Sequence, residues 1–337
     1  MIIKKIIIFF VDIYNQRKDP FYINRDSSYK IMRFCYRITN GLLINLISIF
    51  ITKTKYINTK ESFKSLENLN DIETSSLKNE INKMRVYNKT EIKKIHYTNI
   101  QLRTSDYSFP IDLNNSKKIV RLDVLKKDLF SNKKVSEFAL KNEWLNIVKN
   151  NFKFEPKLID ITAWYTFPDL LNNKAEHKEE KNFSYDAQIW HRDVDKIRDI
   201  KIFIYLTDVN SIDDGPFEIL SGTHLFSFKR FKYSNNNNFR ILTKDIPSKI
   251  LKNKVSFTGK KGSNFIVDTR CIHRGAQVKK NHRLVLELYF SNSFFGKHFK
   301  FNDFTRPKLD RNWDSYSIWK DKIDKNPKIY KYLFLEH

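Results

Sequence analysis

Glycine and proline are scarce in this chain, seven and eight of 337 residues, which argues against a linker-rich or fibrous polypeptide. Cysteine is scarcer still. Cys35 and Cys271 lie far apart and neither belongs to a C-x-x-C pair. No disulfide scaffold is indicated, and a reducing compartment is the expectation. Long apolar runs are also missing. The run Ile6 to Val11 is too short for a secretory segment and is followed by no small-residue cleavage site. The run Gly41 to Thr52 falls well short of the roughly 20 residues that cross a bilayer. Both are flanked by Lys and Arg, so a helix resting on a membrane surface is one reading. A helix buried against the main domain is the preferred one, and the cytoplasm is the expected location.

What is present is core material: 41% of residues are hydrophobic and 15% aromatic, enough for a sizeable interior. The net charge, 62 − 38 = +24, invites a nucleic-acid reading. However, the charge is mostly Lys and is spread along the whole chain. No Arg-rich stripe interleaves with aromatics, so a diffuse solvated surface is preferred and no specific nucleic-acid partner is expected. Peripheral membrane contact through the basic N-terminal helices stays open.

Residues 1–95 read as a mainly helical N-terminal extension, with a helix starting near Ser75 and Ser76. Residues 96–294 read as the main domain, and 295–337 as a C-terminal extension whose YKYLFLEH patch docks on the core. Lys117 to Val124 alternates like a strand, Val135 to Phe152 has helical periodicity, and Leu158 to Phe167 has strand composition. Beyond residue 185, short strands follow one another: Asp186 to His191, Lys201 to Thr207, Phe217 to Leu220, Val255 to Phe257, Asn264 to Val267, Gln277 to Val278 and Leu284 to Phe290. Gly, Asn and Asp punctuate them. The pattern predicts a mainly β chain with flanking helices, a sandwich or barrel in place of alternating βαβ units.

The chemistry gathers at His191-Arg192-Asp193. Alternation along a strand sends His191 and Asp193 to one face, an imidazole and a carboxylate for a single metal. His273, in VDTRCIHRG, is the candidate third ligand. Two His and one carboxylate leave three positions open, which suits iron(II), a chelating co-substrate and dioxygen. An H-x-D triplet alone is weak evidence. Arg283 strengthens it, ten residues beyond His273 across the turn Lys279 to Asn281, on what reads as an adjacent antiparallel strand. It opens the apolar run RLVLELYF, where a buried guanidinium needs a partner. A carboxylate gripped bidentately is one such partner, and an ion pair with Glu287 is the other. His224 and His282 read as loop histidines, Cys271 as a small core residue, and Asp195 and Asp199 as solvated loop acids. Trp164, Tyr165 and Trp190 read as core or pocket lining.

These segments resemble the phytanoyl-CoA dioxygenase family of iron(II)/2-oxoglutarate oxygenases. The likeness spans roughly residues 117–292 and rests on WHRDVD, KIFIYLTDV, DDGPFEILSGTH and GSNFIVDTRCIHRGAQVKKNHR. Thr223 stands where the family usually has Ser. The resemblance implies a double-stranded β-helix with His191, Asp193 and His273 as metal ligands and Arg283 as the 2-oxoglutarate anchor. It further implies hydroxylation of a small-molecule, lipid or glycan-type substrate, with succinate and carbon dioxide released and ascorbate as a stimulant. Asp193 favours hydroxylation, because halogenating relatives lack that carboxylate. A non-catalytic binding or scaffolding module is the alternative. A nucleic-acid demethylase is opposed by the ten-residue gap from His273 to Arg283 and by the lack of a second arginine soon after it.

Overall fold

The computed structural model describes residues 62–87, 121–152, 155–168, 186–193, 198–224, 240–291 and 307–334, together with Leu43 and Ile47. The run Ile6 to Val11, most of Gly41 to Thr52, the loop Asn172 to Asn182, Asp195 and Cys35 lie outside the described residues.

Two antiparallel sheets form the body. The larger contains β1 (Phe63–Ser65), β2 (Val86–Tyr87), β3 (Arg121–Val124), β4 (Lys157–Thr166), β5 (Asp199–Tyr205), β8 (Asn264–Asp268) and β10 (Arg283–Ser291), in the order β1-β8-β5-β10-β4-β3-β2. The smaller contains β6 (Phe217–Leu220), β7 (Lys254–Phe257) and β9 (Ile272–Gly275), in the order β7-β6-β9. With flanking helices this is the mainly β, jelly-roll arrangement the strand pattern predicts. The helices whose bounds fall within the described residues are α1 (Asp71–Asn82), α2 (Lys126–Ser131), α3 (Lys133–Ala139), α4 (Asn142–Lys149), α5 (Ser248–Leu251), α6 (Tyr316–Lys325) and α7 (Pro327–Tyr330).

Alternation along the central strands divides the interior in two. Leu284, Leu286, Leu288 and Phe290 of β10, with Ile200, Ile202 and Ile204 of β5, pack in one core with helical residues such as Leu129, Phe138 and Trp319. Val285, Phe203 and Tyr205, one position out of phase, pack in a second core with Phe217, Ile219 and Phe257 of the smaller sheet. Rings bind the two sheets there, with Phe203 and Phe217 centroids 4.6 Å apart and Phe257 and Phe265 4.1 Å apart. The odd-numbered positions of β5 and β10 therefore face the space between the sheets.

Several elements differ from expectation. The helix predicted at Ser75 starts at Asp71, because the Asn70 side chain accepts from the Glu73 amide at 2.8 Å and caps it. The helix predicted over 135–152 is two helices broken at Leu140 and Lys141, with Trp144 Nε1 donating to Phe138 O across the break. Residues 277–278 are not a strand; the strand is Ile272–Gly275, one turn earlier. Residues 63–65 and 86–87 form both edges of the larger sheet, so part of the segment read as an N-terminal extension is built into it. At the other end, Trp319 is fully buried and its Nε1 donates to Phe130 O at 2.9 Å. Tyr330, Leu333 and Phe334 join the same core. No helix among the described residues is long and apolar enough to cross a membrane.

Candidate metal centre

Backbone pairing builds the centre. Residues 186–188 form a short 3-10 turn where a strand is predicted, and the chain then bridges β9 at a single point. His191 N donates to His273 O and His273 N to His191 O, both at 2.9 Å. Two residues on, Asp193 N donates to Thr269 O at 3.0 Å. In β9, His273 lies opposite Ile219 of β6. The three side chains converge: His191, Asp193 and His273 each offer a ligand atom, and all of these atoms lie within 4.8 Å of one another.

Both imidazoles are prepared for a metal. His191 Nδ1 lies 2.8 Å from Ile189 O, and His273 Nδ1 lies 2.9 Å from Cys271 O. A carbonyl only accepts, so each Nδ1 carries the proton and each Nε2 keeps its lone pair. Burial pushes both pKa values below the ordinary histidine range; Arg240 adds to this at His191, and Asp193 partly opposes it at His273. Burial would lift the Asp193 carboxyl, but Lys201 and the two histidines outweigh it and hold the acid well below the usual carboxylate range. Two neutral imidazoles and one carboxylate form a donor set that fits a divalent metal with open positions.

The sequence reading misses Lys201. Its Nζ lies 3.0 Å from Asp193 Oδ2 and 3.5 Å from Glu287 Oε2. Burial disfavours the ammonium, yet the two acids keep its pKa above the ordinary lysine value. A lysine in phase with Phe203 and Tyr205 on KIFIYLT is the signal that was available.

Arg283 differs from its predicted setting. Its strand is not adjacent to β9 but lies in the opposite sheet, between β5 and β4. The guanidinium reaches across to Gly275, where an added Cβ would stand 3.0 Å from Nη2. Arg283 is 5% exposed, and its Nε and Nη1 find no hydrogen-bond partner among the described residues. Thr166 Oγ1 lies 3.5 Å from Nη2. Glu287 pairs with Lys201, which removes the ion-pair alternative. A buried cation with two unmet donors is costly unless an anion joins it.

The other candidates take structural places. Cys271 is buried with the aromatic core. His224 is buried and outside the triad, and His282 lies against Tyr165 and Phe167. Trp190 is fully buried and carries the Arg274 guanidinium over its ring, while Trp164 meets Phe203 between the sheets. Asp199, expected in solvent, is fully buried and accepts from Tyr289 Oη at 2.5 Å.

No protein-family model matches this chain, and no curated protein does. Solved structures resemble it loosely. HygX from Streptomyces hygroscopicus, with nickel, 2-oxoglutarate and hygromycin B bound, is 14% identical over 71% of this chain and 86% of its own, with a TM-score of 0.47. EctD from S. alaskensis with bound Fe is 14% identical over 69% of this chain and 73% of its own, at 0.42. AviO1 from Streptomyces viridochromogenes Tue57 is 14% identical over 70% of this chain and 92% of its own, at 0.40.

Proposed function

We propose that this chain is an iron(II)- and 2-oxoglutarate-dependent dioxygenase, akin to the phytanoyl-CoA dioxygenases, that hydroxylates a small polar molecule and releases succinate and carbon dioxide. One observation carries the reading: a buried arginine with unmet donors shares the interior with a cluster of two buried histidines and a half-buried aspartate. Gly275 and His273 lie on the same face of β9, about 7 Å apart along the strand, and the Arg283 guanidinium sits against Gly275. A keto diacid held by its keto-acid end at the triad would reach that cation with its other carboxylate.

His191 and His273 would hold the metal through Nε2, and Asp193 through its carboxylate. Arg283 would grip the far carboxylate through Nε and Nη1. When bound, iron(II), 2-oxoglutarate and dioxygen supply the oxidising chemistry. The protein orients the reactants and keeps competing water out with the packed rings of Trp164, Phe203 and Phe217.

The wall beside the triad supports a polar substrate over an acyl chain. Glu287 of β10 lies opposite Thr162 of β4, and Tyr289 lies opposite Asp160 and Lys201. These residues share the inward phase with Val285, and Lys126 ties Asp160 and Thr162 together. These side chains are charged or hydroxyl-bearing, so an acyl chain laid against them would gain little apolar burial. We take the reaction to be cytoplasmic, with a small molecule as partner and no specific nucleic acid.

Succinate release from 2-oxoglutarate, followed with iron(II) and ascorbate across a panel of metabolites, tests this reading. Substrate-stimulated succinate is expected from the parent chain and none from His191→Ala. Equal turnover by that variant contradicts the metal assignment. A parent chain that takes up no metal favours the scaffolding alternative.

A further inference from the structure

Lys201 carries a consequence beyond holding Asp193. The oxygen it touches, Asp193 Oδ2, is the one 3.8 Å from His273 Nε2, so it points into the triad. An ammonium 3.0 Å from that oxygen would compete with a metal ion held by the triad for the same negative charge. The same Nζ lies 3.5 Å from Glu287 Oε2 and 4.9 Å from the centre of the Tyr289 ring. Glu287 is 8% exposed, and among the described residues Lys201 is its one ion-pair partner. A buried carboxylate so placed is costly to keep unless a cation joins it.

We propose that Lys201 is a resident counter-ion of the metal centre, paired with Asp193 in the metal-free protein and passed to Glu287 when a divalent cation binds. The proposal rests on the metal-centre reading given above. Charge counting supports the exchange. Without metal, Asp193, Glu287 and Lys201 sum to one negative charge. A divalent ion turns that into one positive charge, and the ammonium then sits best on the second carboxylate, stacked on Tyr289. Lys201 is thus a positioning residue: it keeps the half-buried Asp193 paired before metal arrives and weakens the metal's hold by competing for the same oxygen.

Titration of the full chain with Co(II), by calorimetry and by melting temperature, tests this. Lys201→Met should bind Co(II) about tenfold more tightly than the parent. Its metal-free form should melt lower, so its Co(II)-induced rise in Tm should be larger. Glu287→Gln should shift affinity the other way, because the ammonium loses its second seat. Lys201→Met binding Co(II) no better than the parent, or Glu287→Gln binding it as well or better, overturns the exchange. His273→Ala separates the two levels of the account. If it binds Co(II) as well as the parent, or if the parent binds none, the metal-centre reading falls and the exchange with it. If it loses Co(II) while Lys201→Met matches the parent, the exchange alone falls.

Discussion

His191 and His273 exchange both backbone hydrogen bonds, N to O at 2.9 Å in each direction, and their ring centroids stand 4.3 Å apart. Residues paired in this way project their side chains to the same side. The two imidazoles are therefore brought together by the main chain itself.

This separates ligation from folding. His191→Ala keeps both backbone bonds, so its circular dichroism and cooperative unfolding should match those of the parent chain. Its affinity for Co(II) should fall by more than the roughly 10- to 100-fold that loss of an orienting partner costs a metal site. A variant that keeps its affinity, or that fails to fold, contradicts this division of labour.

The pH dependence of metal binding should be shallow. Burial keeps both imidazoles neutral below the ordinary histidine range, and Asp193 stays ionised. Few protons need to leave as the metal arrives, so Co(II) affinity should change by no more than about threefold between pH 7.5 and pH 6. Two ordinary imidazoles would lose roughly tenfold over that interval. The stability of the metal-free protein carries the opposite mark. The unfolded chain takes up protons that the folded site refuses, so stability is greatest above about pH 6.5 and falls as pH drops through it. Calorimetry across that range checks both statements.

Arg283 and Gly275 form one cradle, and each can be disturbed separately. Arg283→Leu removes the charge-assisted bonds to a carboxylate, worth about 1.5–3 kcal/mol. The KM for 2-oxoglutarate should rise by roughly 10- to 100-fold, with affinity for the metal alone unchanged. Gly275→Val presses a side chain onto Nη2 and should raise the same KM in the same direction. A variant of either kind with an unchanged KM contradicts the anchor.

The triad and Arg283 are legible in the sequence because their signals are local. H-x-D spacing, the VDTRCIHRG segment and a lone arginine opening RLVLELYF can each be read without knowing the fold. Lys201 is legible only as a charge in phase with Phe203 and Tyr205. Its partners Asp193 and Glu287 lie on separate segments, and their meeting depends on β5–β10 register, which the sequence does not carry. Strand β6 coincides with its predicted limits, since Gly215, at φ 69° in the DDGP turn, fixes where it begins. Strand β9 is displaced from its predicted place, because IHRG has neither alternation nor β-branched bulk beyond Ile272. Asp199 reads as a loop acid and is instead buried, because Tyr289 arrives from another strand.

The C-terminal segment should contribute to stability. Trp319 is fully buried against Phe130 and Phe334 and donates to Phe130 O. Trp319→Ala should cost about 3–5 kcal/mol, read from urea unfolding. A cost below about 1 kcal/mol would mean that the segment 307–334 is dispensable to the core.

The most direct test of the metal centre and its co-substrate is an anaerobic titration of the full chain with iron(II) and then 2-oxoglutarate, followed in the visible range. A charge-transfer band that needs both components is expected. The band should be absent in His191→Ala and should require far more 2-oxoglutarate in Arg283→Leu. No band in the parent chain, or the same half-saturation in Arg283→Leu, would contradict the account.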